Sequence, residues 1–311
     1  MASLISSTVS SYRGRLAPSP TGYLHVGHAR TFWTAYHRAI AAAGTLVMRM
    51  EDLDPDRSRP AYAEAAFEDL RWLGIRWQEG SDVGGPYAPY AQSQRLDMYL
   101  AAWRKLLRSG FLFACRCSRK DLEAALSAPH ESFSPGANNS GEFDPLDDEP
   151  VYPGTCRKLA GDISPQLNSA TNEIEVPGNF NWRFRVPDGE VIEFEDRNLG
   201  PQRFVAGRDF GDFVVWRRDG GPSYQLACVA DDAAMKITEV VRGEDLLKST
   251  ARQILLNRAL NFENPGWFHC RLTVDSNGRR LAKRHDALSL RTLRQRGLTP
   301  EDILSGNLPM D

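Results

Sequence analysis

Three groups of residues have the types and spacing to do chemistry. Cys115 and Cys117 flank a single residue, and Cys156 follows Tyr152 by four positions. Three thiolates so arranged can occupy three corners of a tetrahedral Zn2+ site, one ion per chain. The fourth corner stays open at this level. Tyr152 is an unusual ligand, because a phenol must lose its proton at the metal, whereas His130 in the spacer is a conventional one. The second group is His25, Val26, Gly27 and His28. Helix N-terminal amides carry partial positive charge, a glycine permits close approach, and histidines three apart share one side of a first helical turn, so the tetrapeptide suits a polyphosphate. The third is Arg279, Arg280, Lys283 and Arg284, next to the Ser276-Asn277-Gly278 turn. Cations on such a loop can clamp charge that builds on a departing pyrophosphate.

The elements that must position these groups can be read from periodicity. GRLAPSPTGYLHVGHAR reads as a short strand and a Pro/Gly/Ser turn that opens a helix. In that helix Ala29, Phe32, Trp33, Tyr36, Ile40 and Ala43 are expected on one apolar face, with Gly44 as terminator. TLVMRMED then suits a buried parallel strand, so the opening is a βαβ unit and the fold class is α/β, Rossmann-like. A helix after Pro60 should turn Phe67, Leu70 and Leu73 inward, and one from about Ser93 to Arg108 should turn in Leu96, Leu100, Trp103 and Leu107. FLFAC leads as a strand to the paired cysteines. The stretches 128–150 and 162–179 are polar insertions without apolar periodicity, while Trp182, Phe184 and Val186 alternate as a strand does. The expected division is 13–110, the first half of an α/β domain; 111–212, a small insertion domain with the zinc site; and 213–311, the second half with the basic loop and short C-terminal helices.

Composition bounds the setting. The 311 residues are 41% hydrophobic and 25% charged, ordinary for a globular protein, with a formal net charge of −2. Nothing global advertises nucleic acid, so any RNA contact must come from local patches, for which Arg291, Arg294 and Arg296 are candidates. No apolar run approaches the roughly 20 residues of a membrane span. The first twelve residues lack the basic start and apolar stretch of a secretory signal. Five cysteines, an odd number, point to metal or free thiols in a reducing compartment. The expectation is a cytoplasmic protein with no membrane contact and no obligate protein partner.

Taken together, PSPTGYLHVGH and RLAKR resemble the two signatures of class I aminoacyl-tRNA synthetases, the HIGH and KMSKS motifs. Val26 replaces an isoleucine; Arg280 replaces the first lysine of the second motif, Ala282 its serine, and Lys283 keeps the second lysine. The resemblance implies ATP, carried with Mg2+, bound by His25, Gly27, His28, Arg280 and Lys283, with His25, His28 and Lys283 in the catalytic step. GRLAPSPTG, MRMEDLDPDR, GPSYQLACVADD and TEVVRGEDLL are similar to blocks of the glutamyl branch, in its order. That similarity implies a glutamate pocket of Arg15, Ala17, Ser19, Glu51, Tyr224 and Arg242. Its chemistry is coherent: arginines suit carboxylates, Glu51 an ammonium, and Tyr224 can donate to an acid oxygen. Cys228 stands where many members of that branch carry asparagine, which removes a polar contact. Asp54 and Arg57 are expected to pair locally, and Cys228 and Cys270 to be small buried residues.

The cysteine pattern is similar to that of glutamyl-queuosine tRNA(Asp) synthetases, a family whose metal ligands are the three cysteines and the tyrosine. It implies Cys115, Cys117, Tyr152 and Cys156 as ligands of a structural zinc. Only 28 residues follow Lys283, too few for the helical anticodon-reading domain of a full glutamyl-tRNA synthetase. The family activates L-glutamate as the adenylate without tRNA and transfers it to queuosine at the wobble position of tRNA(Asp). The alternatives are a truncated glutamyl-tRNA synthetase that charges the 3′ end, a non-catalytic paralogue that binds ATP, glutamate or RNA, and a nucleotidyltransferase that shares only the ATP fold.

Overall fold

The computed structural model describes residues 12–118, 121, 151–158, 176–272 and 289–305. Within them the first half of the chain forms β1 (Arg13–Leu16), α1 (Val26–Ala41), β2 (Thr45–Met48), α2 (Pro60–Trp72), β3 (Glu79–Gly80), α3 (Leu96–Arg108) and β4 (Leu112–Cys115). There follow a single helical turn α4 (Thr155–Lys158), β5 (Asn181–Phe184), β6 (Val191–Asp196), β7 (Gly200–Val205) and β8 (Phe213–Trp216). The remainder is α5 (Tyr224–Ala234), β9 (Glu239–Gly243), α6 (Leu247–Leu260), β10 (Gly266–Cys270), α7 (Leu290–Gln295) and α8 (Pro300–Ser305). The segment 273–288, with Arg280 and Lys283, and the spacer holding His130 lie outside the described residues, as do the stretches 122–150 and 159–175.

Packing divides the chain into two compact units: Met1–Gln94, Ala234–Gly243 and Pro265–Asp311 form one, and Arg95–Ala233 with Glu244–Asn264 the other. The positions 111 and 212, anticipated as boundaries, both fall inside the second unit.

The first unit is built on parallel strands. β1 pairs with β2 and β2 with β3, both parallel, and β9 pairs in parallel with β10. The N–H of Thr238 donates to the carbonyl of Arg13 and the N–H of Arg13 to Oγ1 of Thr238, so the entry to β9 lies against β1. Parallel strands need covered faces, and α1 supplies one cover. Its buried face is Val26, Ala29, Phe32, Ala35 and Ala39, with Trp33 and Tyr36 packed at the edge. Ile40, expected inward, is 54% exposed. The inward stripe runs from Phe32 to Ala39, a near-integral two turns, which carries residue 40 round to the outer side. The helix stops by a different device from the one expected. Ala43 adopts the left-handed conformation (φ 48°), and Gly44 is required because a Cβ there would lie 2.5 Å from the carbonyl oxygen of Tyr12.

The second unit carries an antiparallel sheet, β4-β5-β8, and a β6–β7 hairpin. Trp103 of α3 packs edge-on against Trp182 of β5 at 5.2 Å and near Trp216 of β8, and Phe184 stacks on Phe213. The buried face of α3 is Tyr99, Ala102, Trp103 and Leu106. Leu96, expected inward, is 43% exposed. Tyr99 takes its place, and its hydroxyl donates to the buried Asp231, which also accepts from Arg95 at 2.7 Å. No helix among the described residues is long and apolar enough to cross a membrane.

Asp69 of α2 is 1% exposed, and no donor among the described residues reaches either carboxylate oxygen. Burial pushes its carboxyl up to about 6, against the pull of Arg291 and Arg294 on α7. The folded-state value lies above the ordinary 3.8, so the ionised form carries a penalty that is complete above pH 6 and absent below pH 3.8. The gain in stability from Asp69→Asn is therefore expected to be larger at pH 8 than at pH 4, by about 1–3 kcal/mol. Urea unfolding of both proteins at the two pH values measures this; a gain independent of pH would contradict it.

Candidate active site and metal cluster

The turn between β1 and α1 is locked by its own histidines. His25 is the N-cap of α1: its Nδ1 accepts the backbone N–H of Gly27 at 3.1 Å, and the Nδ1 of His28 accepts the backbone N–H of His25 at 3.2 Å. This is a reciprocal capping box in which imidazoles replace the usual hydroxyl and carboxylate. The rings lie 3.8 Å apart. A neutral imidazole that accepts at Nδ1 carries its proton on Nε2. A Cβ at Gly27 would come within 3.0 Å of the His25 ring, so this glycine makes room for the capping histidine.

The far flank of the basic loop returns to the same turn. Ser289 forms an isolated antiparallel bridge with His25, and the N–H of Leu290 donates to the carbonyl of Leu24 at 2.7 Å. Arg280 and Lys283 themselves lie outside the described residues.

Five of the six residues expected for an amino-acid pocket belong to the first unit. The chain leaving β1 runs beside the chain leaving β2: the N–H of Arg49 donates to the carbonyl of Leu16, and that of Glu51 to the carbonyl of Pro18. This lays Ala17 and the exposed Ser19 alongside Glu51. Arg15, 4% exposed, donates through Nη1 to the carbonyl of Val241 at 2.8 Å, the residue before Arg242 in β9. Arg15, Glu51 and Arg242 thus gather toward the carboxyl ends of parallel strands, where ligands of open α/β sheets bind. Tyr224, the sixth, is half-buried at the first position of α5 in the second unit.

Two neighbours went unread in the sequence. Arg49 is fully buried and its Nη2 donates to Glu51 at 3.0 Å, orienting that carboxylate. Its signal was available in the alternation of MRMED, where an arginine sits inside an apolar strand. His269 of β10 accepts from Arg242, and only sheet register reveals it. Asp54 and Arg57 pair locally at 2.6 Å, and the guanidinium holds the Asp54 carboxyl below its usual range. Cys228 is buried, as expected; Cys270 is only partly so.

In the second unit the sulfurs of Cys115, Cys117 and Cys156 lie within 4.8 Å of one another, a cluster that could hold a metal ion. β4 delivers Cys115 and the helical turn α4 delivers Cys156. The Tyr152 hydroxyl sits among them, 3.5 Å from the Cys115 sulfur and 3.8 Å from that of Cys117, and accepts the N–H of Cys156 at 2.8 Å. The Arg183 guanidinium lies over the Tyr152 ring at 4.1 Å. Burial, reinforced by Cys156, pushes the Cys117 thiol up to about 12, and burial with the Cys115 hydrogen bond pushes the Tyr152 phenol well above its ordinary range. Burial also opposes ionisation of Cys156, but the Arg116 backbone and the hydrogen bonds from Tyr152 and Cys117 outweigh it and lower that thiol. Without a cation, ionisation of Cys117 and Tyr152 is disfavoured, which is the condition a metal relieves.

Comparison with known proteins gives the chain its class. Residues 11–308 match the family described as tRNA synthetases class I (E and Q), catalytic domain. A glutamate-tRNA synthetase from Elizabethkingia anophelis superposes with a TM-score of 0.67 at 28% identity, over 93% of this chain and 54% of that one. The chain is 48% identical to a glutamyl-Q tRNA(Asp) synthetase of Symbiobacterium thermophilum over 94% of its own length and 84% of the relative's. It is 44% identical to the protein of that name in Nitratidesulfovibrio vulgaris, over 96% and 85%. With glutamate–tRNA ligase 2 of Nitrosococcus oceani the identity is 40%, over 93% of this chain and 57% of the ligase. The fold and the family match define a class I synthetase catalytic domain, and within that class the chain belongs to the glutamyl-Q tRNA(Asp) synthetases.

The histidine cap gives a direct test. Gly27→Ala should displace the His25 ring and weaken the cap, at about 0.5–2 kcal/mol, with a larger proportional loss in glutamate-dependent ATP–pyrophosphate exchange. Thermal unfolding and exchange rates on one preparation measure both; an unchanged midpoint would show that the ring needs no such room.

Proposed function

We propose that the chain activates L-glutamate with ATP, without needing tRNA, and transfers the glutamyl group to the queuosine at the wobble position of tRNA(Asp). The carrying observation is 48% identity to a glutamyl-Q tRNA(Asp) synthetase over 94% of the chain. In the first step a glutamate carboxylate oxygen attacks the α-phosphorus of ATP and pyrophosphate leaves. In the second a hydroxyl of the cyclopentene diol attacks the mixed anhydride and AMP leaves. Both steps need chiefly positioning and charge neutralisation.

The residues divide this work. Arg15 and Arg242 hold the substrate carboxylates; Glu51, set by Arg49, receives the ammonium; Ala17 and Ser19 line the strand exit, and Tyr224 donates to an acid oxygen. His25 and His28 present Nε2–H to ATP phosphates over the helix start that Gly27 opens. Arg280 and Lys283 meet the charge that gathers on pyrophosphate, with Mg2+ travelling on ATP. We infer a cytoplasmic setting, in which ATP, glutamate and tRNA are all present.

We infer that the cysteine cluster takes one structural Zn2+, with Tyr152 as fourth ligand. Zinc–sulfur bonds of about 2.3 Å and a zinc–oxygen bond of about 2.0 Å imply tetrahedral edges of about 3.8 Å between sulfurs and about 3.5 Å from sulfur to oxygen. The Cys117–Cys156 separation of 3.5 Å and the Cys115–Tyr152 separation of 3.5 Å sit close to those edges. The ion would supply cross-linking of β4 to α4, not reaction chemistry.

The deciding experiment is incorporation of labelled glutamate, with ATP, into tRNA from cells with and without queuosine. Label confined to queuosine-containing tRNA, in an anticodon fragment, is expected; equal label at the 3′ end of both pools would mean a tRNA-charging enzyme. Glu51→Ala should abolish glutamate-dependent exchange, and a wild-type rate would remove Glu51 from the pocket. Elemental analysis should find one zinc per chain, lost in Cys117→Ala with a fall in thermal stability. Zinc retained by that variant would put the ligand set elsewhere.

A further inference from the structure

Arg242 is 5% exposed and His269 is wholly buried. The two stand directly opposite in the parallel register of β9 and β10, so their side chains leave the same face of the sheet. The Nε of Arg242 donates to Nε2 of His269 at 3.2 Å, and its guanidinium carbon lies 5.2 Å from the centre of the Trp267 ring. A guanidinium is planar, with one N–H on Nε and two on each Nη. With Nε engaged by the imidazole, the edge formed by the two Nη groups is the fork a carboxylate can meet bidentately. To accept at Nε2 the imidazole must be neutral, with its proton on Nδ1. Protonated or absent, it would take away the acceptor that engages Nε.

We propose that His269 is a positioning residue of the glutamate site: its Nε2 acceptor sets the plane in which Arg242 presents its two Nη groups to a substrate carboxylate. This rests on the reading of Arg242 as a glutamate ligand. His269 touches no substrate, and its effect reaches the reaction only through the arginine. A residue that orients a binding group without acting on the reacting atoms alters ground state and transition state alike, so its loss raises KM and leaves kcat nearly unchanged.

Two replacements of matched length separate an acceptor from mere filling. His269→Gln carries a carbonyl oxygen at about the reach of Nε2, while His269→Met fills similar space without a strong acceptor; His269→Phe stands in for Met should Met not fold. In glutamate-dependent ATP–pyrophosphate exchange, His269→Met is expected to raise KM for glutamate roughly tenfold, with KM for ATP and kcat within about twofold. His269→Gln should return glutamate KM to within about threefold of wild type, and Arg242→Gln should raise it more than either. In the double variant His269→Met with Arg242→Gln, the histidine change should add little further. Wild-type glutamate KM in His269→Met beside an impaired Arg242→Gln overturns the positioning role alone. Equal impairment of the Met and Gln variants, or a parallel rise in KM for ATP, reduces His269 to packing and also overturns it. Unchanged glutamate KM in Arg242→Gln overturns the pocket reading on which the proposal stands.

Discussion

A carboxylate removed from water holds the first unit together. Glu239, at the start of β9, is wholly buried and accepts from Arg38 of α1 at 2.6 and 2.7 Å and from Tyr12, before β1, at 2.7 Å. A buried charge left alone would cost several kcal/mol. Glu239 therefore requires a helix from the start of the chain and a strand from near its end to meet in one arrangement. Arg38 in turn lies over the Phe268 ring of β10 at 4.1 Å. Burial, then the Glu239 hydrogen bond, raises the Tyr12 phenol far above its ordinary range, so it stays a donor. Such a pair is weak evidence for net stability, and its value lies in specificity of register. Because α1 begins at the histidine cap and β9 carries Arg242, this register fixes where the capped turn and the arginine lie within the unit.

Much of this was legible because the chemistry sits where periodicity changes. A strand, a Pro/Gly turn and an apolar-faced helix are plain around His25, and the βαβ unit follows. What the pattern misjudged were phases. Ile40 and Leu96 are apolar but one position off the buried stripe, and Ala35 and Tyr99 were passed over because small or partly polar residues give a weaker signal than leucine. Gly44 read as a helix stop, yet its necessity is contact with Tyr12, and the left-handed turn belongs to Ala43. Such a role depends on a neighbour far away in sequence and leaves no local mark.

The site shows the same division. Residue types and order suggested Arg15, Glu51 and Arg242, and the strand exits gather those three. Arg49 and His269 were not read, since each matters through a partner defined by register or burial. At the cysteine cluster, spacing alone left the fourth group open between Tyr152 and His130. The fold sets the Tyr152 hydroxyl against two sulfurs and the Cys156 amide, an arrangement made by the turn into α4 that no count of intervening residues conveys.

The capping histidines are placed by the helix they close, and the proposed ATP role would draw on the same two rings. Nδ1 of each ring accepts a backbone N–H and closes the helix, which puts the proton of the neutral ring on Nε2. Serine or asparagine at either position would still cap, but from a side chain shorter than the imidazole. An arginine or lysine would reach a phosphate and could not accept the backbone N–H. On the proposed reading of this turn as the ATP site, one imidazole supplies both the acceptor for the cap and the donor for the ligand, so a substitution at either position acts on helix and ligand together.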